Sequence, residues 1–143
     1  MNNETAVATT KNPMEMIQGN VSSWCSVKAE TMEEKKALYN ALESCDVVLN
    51  DIVGKTIKLK DIFIQEFPRT DKETGEPISN GHRVILFDDE GKSYVTASNY
   101  FFVSLVKFIN AFGEPNTWKE PVPIEITKRP TKNGNQCLSF KLA

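Results

Sequence analysis

Apolar and polar positions alternate with a period of two in several runs of the chain after Lys55, and change to a helical period once between them. In Lys55 to Phe67, Ile57 and Leu59 share a face with Phe63 and Phe67, but Asp61 interrupts that face while Ile62 and Ile64 occupy the other. A long strand that hands its apolar pattern from one face to the other predicts a bulge or a sharp bend. His82 to Phe87 follows, then the turn Asp88-Asp89-Glu90-Gly91 and a run from Lys92 to Ala97, which together predict a hairpin with a glycine-containing loop. Val122 to Lys128 places Ile124 and Ile126 on one face. Gln136 to Leu142 does the same for Leu138, Phe140 and Leu142, and the turn between these two runs falls at Asn133-Gly134.

The helical period lies between these pairs of strands. Ser98 and Asn99 are good cap residues, and Phe101, Leu105, Phe108, Ile109 and Phe112 recur at helical spacing until Gly113 and Pro115 end the run. Such a stripe predicts a helix that plugs a core, with Tyr100 and Phe102 pointing partly away from it. Three strands, one helix and two strands predict a mainly β fold. The specific expectation is a five-stranded oligonucleotide/oligosaccharide-binding (OB) barrel with one helix between strands three and four. Its first strand must bend, because it pairs at both ends to close the sheet.

The N-terminal third is of different composition. Thr31 followed by Glu34 is a capping box, which predicts a helix running through Leu38, Tyr39, Ala41 and Leu42. Asn20 to Lys28 predicts an added strand with Trp24 as its one large side chain, either packed on the barrel or stacked on a base. Residues 1–19 read as disordered, 20–50 as a strand and helix extension, and 51–143 as the barrel. A chain of 143 residues suits one domain of about 100 residues with such an appendage.

Composition narrows the function. No apolar run approaches the roughly 18 residues of a membrane span, and Met1-Asn2-Asn3-Glu4 has none of the marks of a signal peptide, so a cytoplasmic protein is expected. Cys25, Cys45 and Cys137 form no CxxC pair, and His82 has no ligand neighbours at a metal spacing, so no metal or other cofactor is assigned. Enzymatic chemistry is not expected. The single histidine is followed at once by Arg83, the acids Asp88 to Glu90 sit in a turn, and Gly54-Lys55-Thr56 lacks the upstream glycine of a phosphate loop.

The net charge of −2 argues weakly against nucleic acid, but the distribution matters more than the sum. Acids concentrate at Glu30 to Glu34, Glu43 to Asp51 and Asp88 to Glu90. Bases gather at Lys55, Lys58 and Lys60, at His82-Arg83, and at Lys128, Arg129, Lys132 and Lys141. The last two basic groups are expected in or beside the two loops that frame the ligand groove of an OB barrel. Lysines on alternate strand positions also serve simply to solubilise a sheet. As a phosphate-facing set the candidates are Lys58, Lys60, Arg83, Lys128, Arg129, Lys132 and Lys141, with Tyr94, Phe63, Phe87 and Trp118 as stacking candidates. Tyr94 and Thr96 share one hairpin face, Val95 and Ala97 the other. The smaller apolar pair is the better core filler, which places Tyr94 outside, whereas Phe63, Phe87 and Trp118 read as packing residues first.

Several segments in order, Leu38-Tyr39-Asn40-Ala41, Lys60-Asp61-Ile62, Asp71 to Glu76, Ile85 to Tyr94, and Phe112-Gly113-Glu114-Pro115 with Trp118, carry a resemblance. From about Met32 to Leu142 the chain resembles the single-stranded DNA-binding proteins of bacteriophages that infect Gram-positive bacteria. The resemblance implies an OB fold that coats single-stranded DNA in the host cell during phage replication or recombination, with little sequence preference and no catalysis. Its partners would be single-stranded DNA and phage replication or recombination proteins, and further copies of the chain are compatible with it. The chain ends Leu138 to Ala143 within its last expected strand, so recruitment through the acidic tail typical of bacterial proteins of this function is not expected. The competing reading is an OB module for protein contact or RNA.

Overall fold

The computed structural model describes residues 23–131 and 134–143. The disorder expected of residues 1–19, the charge of Lys132 and the Asn133 half of the last turn lie outside the described residues. In chain order the elements are β1 (Ser23–Cys25), α1 (Met32–Glu43), β2 (Val47–Val48), a 3-10 turn at Leu49–Ile52, β3 (Thr56–Thr70), β4 (Pro77–Asp88) and β5 (Ser93–Thr96). They continue with α2 (Asn99–Phe112), a 3-10 turn at Pro115–Thr117, β6 (Val122–Pro130) and β7 (Gln136–Leu142).

The protein is mainly β, but the described residues form one seven-stranded sheet rather than a five-stranded barrel. Its order is β2-β5-β4-β3-β6-β7, with β1 paired to β3. The apolar helix α2 therefore follows the fifth of the described strands, not the third, because two short strands precede those the alternation revealed. β2 is too short to show a period. It pairs parallel to Tyr94 and Val95 of β5, and Asp46 fastens it there: Ser93 donates its N–H (2.9 Å) and its hydroxyl (3.2 Å) to Asp46 Oδ2.

β3 organises the sheet. One edge pairs with β4 from Leu59 to Thr70, while the other pairs first with β6 at Thr56–Leu59 and then with β1 at Phe63–Gln65. The register steps from Leu59↔Asp88 to Asp61↔Phe87, leaving Lys60 as an extra residue on β3. This is the bulge expected where Asp61 breaks the alternation. It exchanges the faces, so Ile57 and Leu59 before it and Ile62 and Ile64 after it join one core.

That core is closed by α2, which lays Phe101 and Leu105 against the sheet; both are fully buried. Ser98 caps the helix by accepting the Phe101 N–H at 3.2 Å, and Gly113, at φ +92°, ends it. Phe108 is half-buried, edge-on to Trp118 and Phe140 at centroid distances of 5.6 and 5.5 Å. The other face of the sheet is covered as well. There Phe63, Ile85 and Phe87 form a second buried cluster beneath Leu38, Ala41 and Leu42 of α1. The expected capping box holds the start of α1: Glu34 donates its N–H to Thr31 Oγ1 (3.1 Å), and Glu34 Oε1 accepts the Thr31 N–H (2.9 Å).

β3 and β4 continue as a two-stranded arm beyond the runs that alternate. Pro68 to Thr70 and Pro77 to Gly81 show no period of two, yet Arg69 pairs with Ile78 and Thr70 with Pro77. Asp71 ties the tip, its Oδ1 accepting the N–H groups of Glu73 (2.8 Å) and Thr74 (3.2 Å).

Candidate nucleic-acid interface

The aromatic candidates separate sharply once the sheet is folded. Tyr94, expected on the solvent side, is only 6% exposed and belongs to the core under α2. Its hydroxyl donates to Asp88 Oδ2 at 2.8 Å, and Asp88 Oδ1 accepts the N–H groups of Glu90 and Lys92, both at 2.9 Å. The first acid of the hairpin turn is thus tied into the fold rather than solvated. Burial first, and the bond to Asp88 second, push the Tyr94 hydroxyl well above the usual phenol range. Phe63 and Phe87 are buried beneath α1, at 8% and 7% exposure.

Trp118 differs. It is half-buried, its Nε1 donates to the Gly113 carbonyl at 3.0 Å, and Phe108 supports it edge to face. Trp24, the other tryptophan, packs against the main core and lines an open apolar groove of about 700 Å³ with Ile64, Phe102, Val106 and Ile109. Phe102 in turn stacks on His82, with centroids 3.7 Å apart, and His82 Nε2 lies 3.4 Å from Glu66 Oε2. His82 is thus occupied by packing.

Among the basic candidates, Arg83 is not at a loop. It sits within β4 opposite Gln65, is half-buried, and its guanidinium approaches Cys45 Sγ at 3.9 Å at the margin of the α1-covered face. The pattern missed this because Pro77 to Gly81 extend β4 past the expected strand start. Lys58, Lys60, Lys128, Arg129 and Lys141 are all exposed. Lys128, Arg129 and Lys141 lie on the β6–β7 ribbon, where they pair with Leu138, Cys137 and Glu125, and Lys141 Nζ is 3.8 Å from Glu125 Oε1. Lys58 and Lys60 lie on β3, with Lys60 at the bulge.

Lys60 and Trp118 meet in a polar groove of about 440 Å³, between the segment after β1, the β3 bulge and the connection from α2 to β6. Lys28 and Lys119 line it too, two exposed cations that the sequence reading did not select. The available signal was the Trp118-Lys119 pair, an aromatic followed by a base in a proline-flanked connection. Among the described residues no group of three His, Cys, Asp or Glu side chains is placed to hold a metal ion.

A profile of the family described as phage single-stranded DNA-binding protein matches residues 18–143. The chain belongs to that family. No curated protein and no solved structure matches it. The region shared with the phage single-stranded DNA-binding proteins takes in every element from β1 to β7, so the α1 cover lies within it. Among the described residues of this family member, no helix is long and apolar enough to cross a membrane.

Proposed function

We propose that this protein binds single-stranded DNA without sequence preference, and coats and protects it during phage DNA replication or recombination in the host cytoplasm. Family membership across the whole described fold is the observation that carries the reading. Exposed bases on β3 and on the β6–β7 ribbon support it, because phosphate neutralisation is blind to sequence. The fold reading is an OB barrel for residues 51–143, carrying 20–50 as an extension. Its support is that β5-β4-β3-β6-β7 run in OB order with α2 between β5 and β6 in the chain, and that β1, α1 and β2 add to this set from outside. The protein acts by occupancy rather than catalysis, alongside phage replication or recombination proteins and further copies of itself.

Competition against a labelled oligodeoxythymidylate tests the function. Unlabelled single-stranded DNA should compete far better than duplex DNA of equal length, because a duplex keeps its base faces internal, and better than the matching RNA. Equal competition by duplex would exclude a mechanism that uses base faces.

A further inference from the structure

We propose that single-stranded DNA crosses the protein through the groove at the β3 bulge, with Lys28, Lys60 and Lys119 on its phosphates and Trp118 against a base. The proposal rests on the single-stranded DNA reading above and names the surface that carries it. An OB barrel ordinarily takes its ligand on the outer face of its second and third strands. In that reading those strands are β4 and β5, and α1 covers Ile85 and Phe87 of β4 together with Phe63 of β3. The groove at the bulge lies beside that cover, with Glu34 of α1 in its wall.

Charge in the groove favours a polyanion more than a count of its residues suggests. Glu34, Asp61 and Glu120 also line it, so the formal charges of lysines and acids cancel. Their placement does not. The Glu34 carboxylate is turned back to the start of α1, accepting the N–H groups of Glu30 (3.1 Å) and Thr31 (2.9 Å), which hold it below the usual carboxylate range. Asp61 Oδ1 accepts the Ser26 hydroxyl at 2.9 Å. Among the described residues Lys28, Lys60 and Lys119 enter no ion pair with either, and all three are exposed on long stems. Glu34 is therefore held by backbone and Asp61 by the Ser26 hydroxyl, while the three lysines stay exposed and Glu120 is the lining acid with no such bond among the described residues.

Trp118 suits the stacking role for a separate reason. Its N–H is already satisfied by Gly113 and it packs in a T-shaped contact with Phe108, so the ring is fixed before any base arrives and little ordering is needed on binding. Two further pockets share parts of its lining, one of about 170 Å³ that has Lys28 and Lys60 in common with it and reaches Gly91, and one of about 380 Å³ that has Trp118 and Lys119 in common with it and is walled by Pro121 and Pro123. A row of concave surfaces suits a polymer strand better than a single trapped nucleotide.

The test uses the full chain with Trp24→Phe, which leaves Trp118 as its one tryptophan. Saturating oligodeoxythymidylate should quench Trp118 emission. In the same background, Lys28→Ala/Lys60→Ala/Lys119→Ala should weaken binding at least tenfold at moderate salt and lower the salt slope by about 2, three contacts at roughly 0.7 each. Glu120→Gln should tighten binding about two- to fivefold, an outcome that misfolding does not produce. Melting curves accompany each variant. Wild-type affinity and slope in a triple variant that melts normally, unchanged Trp118 emission at saturation, or no gain from Glu120→Gln overturns the groove while leaving the single-stranded DNA reading in place. If the unaltered protein fails to bind the oligonucleotide, that reading itself falls, and the groove with it.

Discussion

The Tyr94 hydroxyl ends inside the sheet on a buried carboxylate, and this one bond separates a packing role from a binding role. Tyr94→Phe leaves Asp88 one donor short and should cost about 1 to 2 kcal/mol near neutral pH, read by urea denaturation. Titration with an oligonucleotide should be unaffected. The loss also carries a pH signature. Folding holds the Tyr94 proton above the ordinary phenol value of 10.0, so above about pH 10 the unfolded chain releases a proton that the folded chain keeps. Stability from this group is complete below pH 10 and declines as pH rises beyond it. The gap between wild type and Tyr94→Phe should therefore narrow from pH 8 to pH 10.5. Alternation correctly paired Tyr94 with Thr96 on one face, but the choice between faces assumed that one of them met water. With α2 on one side and α1 on the other, neither does, and side-chain size ceases to be a guide.

At the scale of elements, legibility followed the strength of local signals. The capping box of α1, the Ser98 and Gly113 limits of α2, the Gln136–Leu142 strand and the break at Asp61 all rest on residue types whose chemistry acts within a few positions. What escaped was non-local: the two residues of β2, the β3–β4 arm, and the docking of α1 over Phe63 and Phe87. The last is set by Leu38, Ala41 and Leu42 meeting a sheet face, and no period within α1 identifies the face it meets. None of the α1 residues is fully buried, so the helix depends on its cap and on that contact. Thr31→Ala should cost about 1 kcal/mol, and Leu38→Ala with Leu42→Ala about 2 to 4 kcal/mol together, measured by equilibrium denaturation. No change from the leucine pair would mean that α1 does not hold the second cluster closed.

For the whole molecule, a net charge of −2 coexists with exposed cations on β3 and on the β6–β7 ribbon. Each phosphate contact on a single strand contributes a salt slope of roughly 0.7. Replacing Lys128, Arg129 and Lys132 by alanine should weaken binding by more than about tenfold, lower the slope by about 2 and leave the melting midpoint unchanged. An unchanged slope would place the ribbon away from DNA and leave the β3 side as the sole phosphate contact. The candidate site was thus half legible. Basic residues announce themselves in a sequence, whereas the aromatic that shares a groove with them is decided by which rings the core consumes.

The sharing of β3 among three partners also sets a timetable. β1 precedes it and β4 follows directly, so both pairings are available as soon as Pro77–Asp88 leaves the ribosome, and the contacts of the β3–β4 hairpin are short in sequence. Its remaining stretch, Thr56–Leu59, waits for β6, which is translated almost half a chain later. Until Val122–Leu142 emerges, the nascent chain carries an uncovered strand edge beside Ile57 and Leu59, the condition that exposes a folding intermediate to association. Synthesis through Val122–Leu142, rather than of the hairpin, therefore limits how soon this protein becomes safe at high concentration.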